Sequence, residues 1–212
     1  MDRYIRLLAP IVVAALAACT SGASASAPPS TTSSPLVIRS EGFRDPFTYT
    51  LPAGWSLSGT GDRYYGFSAD HGPGGVLALS GVGAAKSDCS RRPQQGVGSS
   101  SGALTSWLST DPALDATTPQ PITLGSAIGS WLDVTLASDW KRKCANGLTL
   151  VTRHPDGPES MEILAGDKMR IYVLDVPGGD TVTVLATVPG GVDSPNSIDD
   201  VAPIVESFNF SG

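Results

Sequence analysis

The stretch KMRIYVLDVPGGDTVTVLATV, residues 168–188, sets two runs rich in Val, Ile, Tyr and Thr on either side of Pro177-Gly178-Gly179-Asp180. β-Branched and aromatic residues suit a pleated surface, and a short Pro/Gly break returns the chain on itself, so the stretch predicts an antiparallel hairpin. Upstream lie LTLVTRH (148–154) and SWLDVTLAS (130–138). In the second of these, alternation puts Leu132, Val134 and Leu136 on one face. Earlier still, FTYTL (47–51) alternates apolar and polar residues before Pro52-Ala53-Gly54 turns the chain into Trp55. RYYGFS (63–68) and VLALSGV (76–82) flank the turn-forming run DHGPGG.

Two segments break this strand pattern. In SSGALTSWLSTDP (100–112), a serine cap precedes Ala103, Leu104, Trp107 and Leu108 at helical spacing, and Pro112 stands beyond the end. Near the C-terminus Ile198, Val201, Val205 and Phe208 form an apolar helical stripe, with Ser197 and Asp200 spaced as a capping box. Pro203 is expected to kink that helix unless it starts later, and Phe208-Asn209-Phe210 to close the fold as a short strand. These elements predict an α+β domain over residues 36–212: an antiparallel sheet of about 6–8 strands, with one short mid-chain helix and one C-terminal helix packed on it.

The first 35 residues have a different composition. Basic Arg3 and Arg6 precede the apolar run LLAPIVVAALA (7–17), too short to span a bilayer as a helix but of the length of a signal-peptide core. The run ends in Leu16-Ala17-Ala18-Cys19, which resembles the lipobox of bacterial lipoproteins. That resemblance implies a signal peptide over residues 1–18 and a diacylglyceryl group on Cys19. TSGASASAPPSTTSSP (20–35) has neither charge nor large apolar side chains and reads as a flexible tether, spanning roughly 20–25 Å. The expected location is the cell membrane, lipid-anchored and facing outside the cytoplasm.

Export bears on the other two cysteines. Cys89 and Cys144 are expected to form a disulfide, closing a loop of about 56 residues and contributing about 4 kcal/mol in the chain-entropy picture. Neither has a histidine close by, so no metal site is expected. The bridge would join Cys89-Ser90-Arg91-Arg92 to DWKRKCANG (139–147), gathering Arg91, Arg92, Lys141, Arg142 and Lys143 beside Trp140. In a chain of net charge −6, whose residues 156–212 hold ten acids and two bases, such a cluster has two readings. It contacts an anionic envelope component or a protein partner, or it is a solvated loop whose charges meet the protein's own acids. An indole next to three cations suits a boundary between apolar and charged surface. Nucleic acid is not an expected partner, because the domain is acidic and carries no binding motif.

Signals for catalysis are sparse. Gly98-Ser99-Ser100-Ser101-Gly102 spells G-x-S-x-G, and Asp133 and His154 follow in the chain order of a hydrolase triad. The preceding RRPQQGV, however, cannot form the strand that a nucleophile elbow needs. His71 and His154 both sit in turn sequences, Gly96-Val97-Gly98 lacks the surroundings of a dinucleotide site, and Asp193, Asp199 and Asp200 lack calcium-loop spacing. No cofactor is expected.

FTYTLPAGW near the start of the domain and VESFNF at its end resemble the opening and closing motifs of small actinobacterial lipoproteins of PsbP-like fold. That resemblance implies an architecture over most of residues 36–212 and a non-enzymatic binding or envelope-assembly module, and it transfers no catalytic residue. The alternatives are a lipid or small-ligand carrier with an apolar cavity and a secreted serine hydrolase using Ser100.

Overall fold

The computed structural model describes residues 36–72, 74–140, 147–153, 160–190 and 197–211. They belong to one compact unit, Ser34–Gly212. In chain order the elements are β1 (Val37–Arg39), β2 (Phe47–Thr50), β3 (Trp55–Gly61), β4 (Tyr64–Ala69), β5 (Gly75–Ser80), β6 (Val82–Ala84) and α1 (Ser101–Thr110). There follow β7 (Leu114–Ala116), β8 (Gln120–Leu124), β9 (Ala127–Leu136), β10 (Leu148–Arg153) and β11 (Ser160–Ile163). Last come β12 (Lys168–Asp175), β13 (Thr181–Val188), α2 (Ile198–Glu206) and β14 (Asn209–Phe210).

The expected hairpin is the centre of the molecule. β12 pairs antiparallel with β13 from Lys168↔Val188 to Asp175↔Thr181. It lies inside an eight-stranded sheet of order β3-β4-β5-β13-β12-β9-β7, in which the long β9 also pairs with β8. Two three-stranded sheets, β1-β2-β14 and β11-β10-β6, complete the described strands. Alternation along β12 sends Tyr172 and Leu174 to one core and Met169, Ile171 and Val173 to another. The first core is shared with β2, β14 and α2, the second with α1, β10 and β11, so the central strands are buried on both faces.

The fold is α+β with a large antiparallel sheet, but strands outnumber the expected 6–8. The additional ones are short or polar. β3 reads WSLSGTG and lies at the exposed edge of the main sheet, β7 has three residues, and β1, β8 and β11 have three to five. Each has little apolar periodicity of its own and is held by its partner strand, the next one in the chain for β1, β3 and β8 and the more distant β9 for β7. VLALSGV, expected as one strand, is two. Gly81 adopts φ +65° and donates its N–H to Thr181 O at 2.9 Å, and the chain passes there from the main sheet to the β10 sheet.

Both helices lie where expected. Ser100 caps α1, its Oγ accepting from Ala103 N at 3.3 Å, and Leu104 and Leu108 are buried. In α2 the Asp200 carboxylate accepts from Ser197 N at 2.6 Å. Pro203 lies inside α2 rather than ending it. The carbonyl it leaves without a donor is that of Asp199, close to the exposed start of the helix, where water can take the place of the missing N–H. β14 returns the chain beside β2, and Phe208 stacks on Phe47 with centroids 4.2 Å apart. The two short motifs at the ends of the domain therefore touch in the core, each ring contributing about 2–3 kcal/mol by burial.

Candidate functional site

The sequence-predicted residues divide into those the structure places and those outside its described part. Cys19, Lys141, Arg142, Lys143, Cys144 and His154 lie outside, as do the signal and tether segments. Cys89 and Arg91 occupy left-handed backbone, φ 61° and 57°, in the loop between β6 and α1. Cys89 is disulfide-bonded. Its expected partner lies outside the described residues, so the pairing with Cys144 stays a proposal. Arg91 forms an ion pair with Glu162 of β11, and Arg92 pairs with Asp88 at 3.3 Å. A hydrogen bond from the Ser90 hydroxyl holds the Asp88 carboxyl below its ordinary pKa, with the charge of Arg92 adding to the effect. Both arginines thus meet acids of the protein itself. Trp140 is half-buried against the core that α1 shares.

The hydrolase residues are engaged in structural roles. Ser100 uses its hydroxyl as the cap of α1. At that same helix start, Asp175 accepts from Ser101 N at 2.9 Å and Ser101 Oγ at 2.6 Å. Asp133 accepts two bonds from Arg170, Nε at 2.7 Å and Nη2 at 2.9 Å. Those bonds raise the guanidinium pKa further above its usual value. Arg170 also lies 4.2 Å over the Trp131 ring and reaches Asp199 at 3.4 Å. Among the described residues no three His, Cys, Asp or Glu side chains are grouped to hold a metal ion.

A cleft of about 540 Å³ opens beside this ion pair, bordered by Ser109, β7 with Thr117, the Asp133–Thr135 part of β9, the start of β12, and Ile198 of α2. Strand register explains its polar lining. Asp115 pairs with Thr135, and Arg170 with Asp133. Continuing the second ladder by one residue sets Lys168 opposite Thr135. Asp115, Thr135 and Lys168 therefore form one cross-strand row, and Thr117, Asp133 and Arg170 form the next. Both rows lie on the face that carries Trp131 and Tyr172. Leu114, Val134 and Met169 border the cleft too, but their side chains fill the opposite core.

The inner row is internally satisfied. Besides the Arg170 bonds to Asp133, Thr117 N donates to Asp133 O and Asp133 N donates to Thr117 Oγ1, each at 2.9 Å. The outer row is not: among the described residues neither Asp115 nor Lys168 has an ion-pair partner. Sequence reasoning missed this pair because β7 shows only Leu-Asp-Ala as its pattern. One signal was present, since the alternation that turns Leu132, Val134 and Leu136 inward turns Asp133 and Thr135 to the other face.

No described protein family matches the chain, and no curated protein is significantly similar to it. Among solved structures, the chain is similar to a crystal structure from Bacteroides thetaiotaomicron VPI-5482 at 10% identity and a TM-score of 0.40. The match covers 78% of this chain and 45% of that one, so the chain spans less than half the length of that protein.

Proposed function

We propose that the chain is a membrane-anchored, extracytoplasmic binding module that does no chemistry on what it binds. The observation carrying this reading is the cleft over β9, a preformed recess on rigid strands. The groups a hydrolase would need are committed elsewhere, Ser100 to a helix cap and Asp133 to Arg170. Anchoring is supported by the apolar run before Leu16-Ala17-Ala18-Cys19 and by the uncharged tether behind it. Several acyl chains on Cys19, at about 0.8 kcal/mol per buried CH₂, would hold the domain at the membrane. Trp140, Lys141, Arg142 and Lys143, brought by a Cys89–Cys144 bridge beside Arg91 and Arg92, which already pair with Glu162 and Asp88, would supply a second contact for an anionic envelope component or protein partner. The finer fold reading, a PsbP-like domain, belongs to the same proposal and is supported by the Phe47–Phe208 stack between its end motifs.

A second reading, a small-ligand carrier, is favoured by the volume of the cleft, which falls in the range of small-molecule sites. Its open, charged rim suits a polar ligand better than a lipid.

Anchoring is tested by growing a lipoprotein-processing bacterium that expresses the full-length chain on an alkyne-bearing palmitate. The expected result is label on the protein in the membrane fraction, lost together with membrane association in Cys19→Ser. Unlabelled, soluble wild-type protein would reject the anchor.

A further inference from the structure

We propose that the cleft binds a compact zwitterion, an amino acid or a molecule of that size, with its ammonium group on Asp115 and its carboxylate on Lys168. The inference deepens the binding-module reading and rests on it. It is carried by the outer row, a carboxylate and an ammonium at the two ends with the Thr135 hydroxyl between them.

The spacing selects the ligand. β7 and β12 flank β9, and neighbouring strands lie about 4.8 Å apart, so the Cα atoms of Asp115 and Lys168 are separated by about 10 Å. The short Asp115 side chain and the long Lys168 side chain rise from these positions, and with a charge-assisted contact at each end a ligand whose own charges lie a few ångströms apart bridges them. That matches the two ends of a small amino acid, and the flexible lysine stem accommodates a spread of lengths.

The surroundings select its character. The inner row is neutralised by its own Asp133–Arg170 pair, so it neither attracts a third charge nor competes for the ligand. Of the side chains bordering the cleft, Ile198 is the one large apolar group not turned into the opposite core. The site therefore offers two opposite charges, the Thr135 hydroxyl and little apolar surface. A fatty acyl chain finds no trough there, and a ligand of a single charge leaves one end of the row unanswered. Strand pairing fixes the backbones that carry the charges, so the ordering required on binding falls chiefly on the Lys168 side chain.

The test uses the full chain purified from membranes in detergent, labelled for two-dimensional amide NMR. It is titrated with L-alanine, with L-alaninamide, which lacks the carboxylate, and with N-acetyl-L-alanine, which lacks the ammonium. Alanine is expected to shift the amides of Asp115, Thr135 and Lys168 and to bind at least tenfold tighter than either analogue. Asp115→Asn should abolish the preference over N-acetyl-alanine, and Lys168→Met the preference over alaninamide. Both positions are exposed, so unchanged melting temperatures serve as the folding control. If alaninamide binds as tightly as alanine, the site reads only a cation and the zwitterion proposal is wrong, while the cleft remains a binding seat. If no probe shifts the cleft amides at millimolar concentration, both the ligand and the cleft as seat are rejected, and the palmitate result stands unaffected.

Discussion

Tyr172 brings a fully buried hydroxyl to the centre of β12, where the Arg170 guanidinium approaches it but no hydrogen bond of full geometry forms among the described residues. Burial pushes its phenol pKa well up, so it stays neutral through the physiological range. Leaving such a group unpaired costs about 1–3 kcal/mol relative to one that is satisfied. Tyr172→Phe keeps the ring against Trp131, 6.5 Å between centroids, and removes the orphaned oxygen. Urea unfolding is expected to show stability unchanged or raised by up to about 1 kcal/mol. A loss of more than 1 kcal/mol would mean that the hydroxyl is satisfied after all. Arg170, two residues away on the same face, is the opposite case: its guanidinium meets Asp133, Asp199 and the Trp131 ring, and its burial is compensated by Asp133.

At the level of elements, the start of α1 depends on a carboxylate from another strand. Asp175 accepts from Ser101 N, Ser101 Oγ and Thr181 Oγ1. Partial burial pushes its pKa up, but the three donors outweigh that, and the carboxyl sits below its ordinary value. Because the folded pKa is depressed, the stabilisation is fully present above the unfolded value near 4 and is lost as pH falls through the folded one. Asp175→Asn should therefore lower stability at pH 7 by about 1 kcal/mol, a figure kept small by solvent exposure. Thermal melts between pH 2.5 and 7 should show the difference from wild type closing in acid. A gap that persists at the lowest pH would assign the loss to geometry rather than charge. The same contact explains why Gly98-Ser99-Ser100-Ser101-Gly102 is a helix entrance: the hydroxyls of Ser100 and Ser101 and the Ser101 amide are already bonded by the fold.

For the molecule as a whole, the proposed Cys89–Cys144 link would decide how the positive charge is distributed. Residues 156–212 carry a net charge of −8, while six of the cations, Lys86, Arg91, Arg92, Lys141, Arg142 and Lys143, lie within three residues of Cys89 or Cys144. If these cysteines pair, the intact protein is lighter by two hydrogens than its reduced form, and no thiol reacts with an alkylating reagent under non-reducing conditions. Reduction should then lower stability by up to about 4 kcal/mol, the chain-entropy value for the loop. Two alkylated thiols in the native protein would remove the basis for clustering Lys141, Arg142 and Lys143 with Arg91 and Arg92. The proposed lipid anchor would act at this scale too, confining the cleft and the loop to the membrane surface whatever they bind.

Local chemistry was enough for those elements whose cause lies within a few residues. The β12–β13 hairpin follows from two β-rich runs around Pro-Gly-Gly-Asp, α1 from a serine cap and its apolar stripe, and α2 from the Ser197/Asp200 capping box. The exposed pair Arg91 and Arg92 was legible as well, though not the acids that receive them. Non-local pairing decided the rest. β7 becomes a strand because the longer β9, 22 residues on at the Leu114–Leu136 pair, supplies its hydrogen bonds, and Gly81 divides one apolar run between two sheets. Asp133 reads in sequence as a candidate catalytic acid, yet a register set by β12 places it against Arg170, 37 residues on. The row of Asp115, Thr135 and Lys168 comes from three strands. A shift of one residue in either ladder would turn one of its charges to the opposite face. Side-chain alternation is encoded along the chain, whereas register is settled between chain segments by the burial of both faces of the sheet, and the cleft exists only once that register is set.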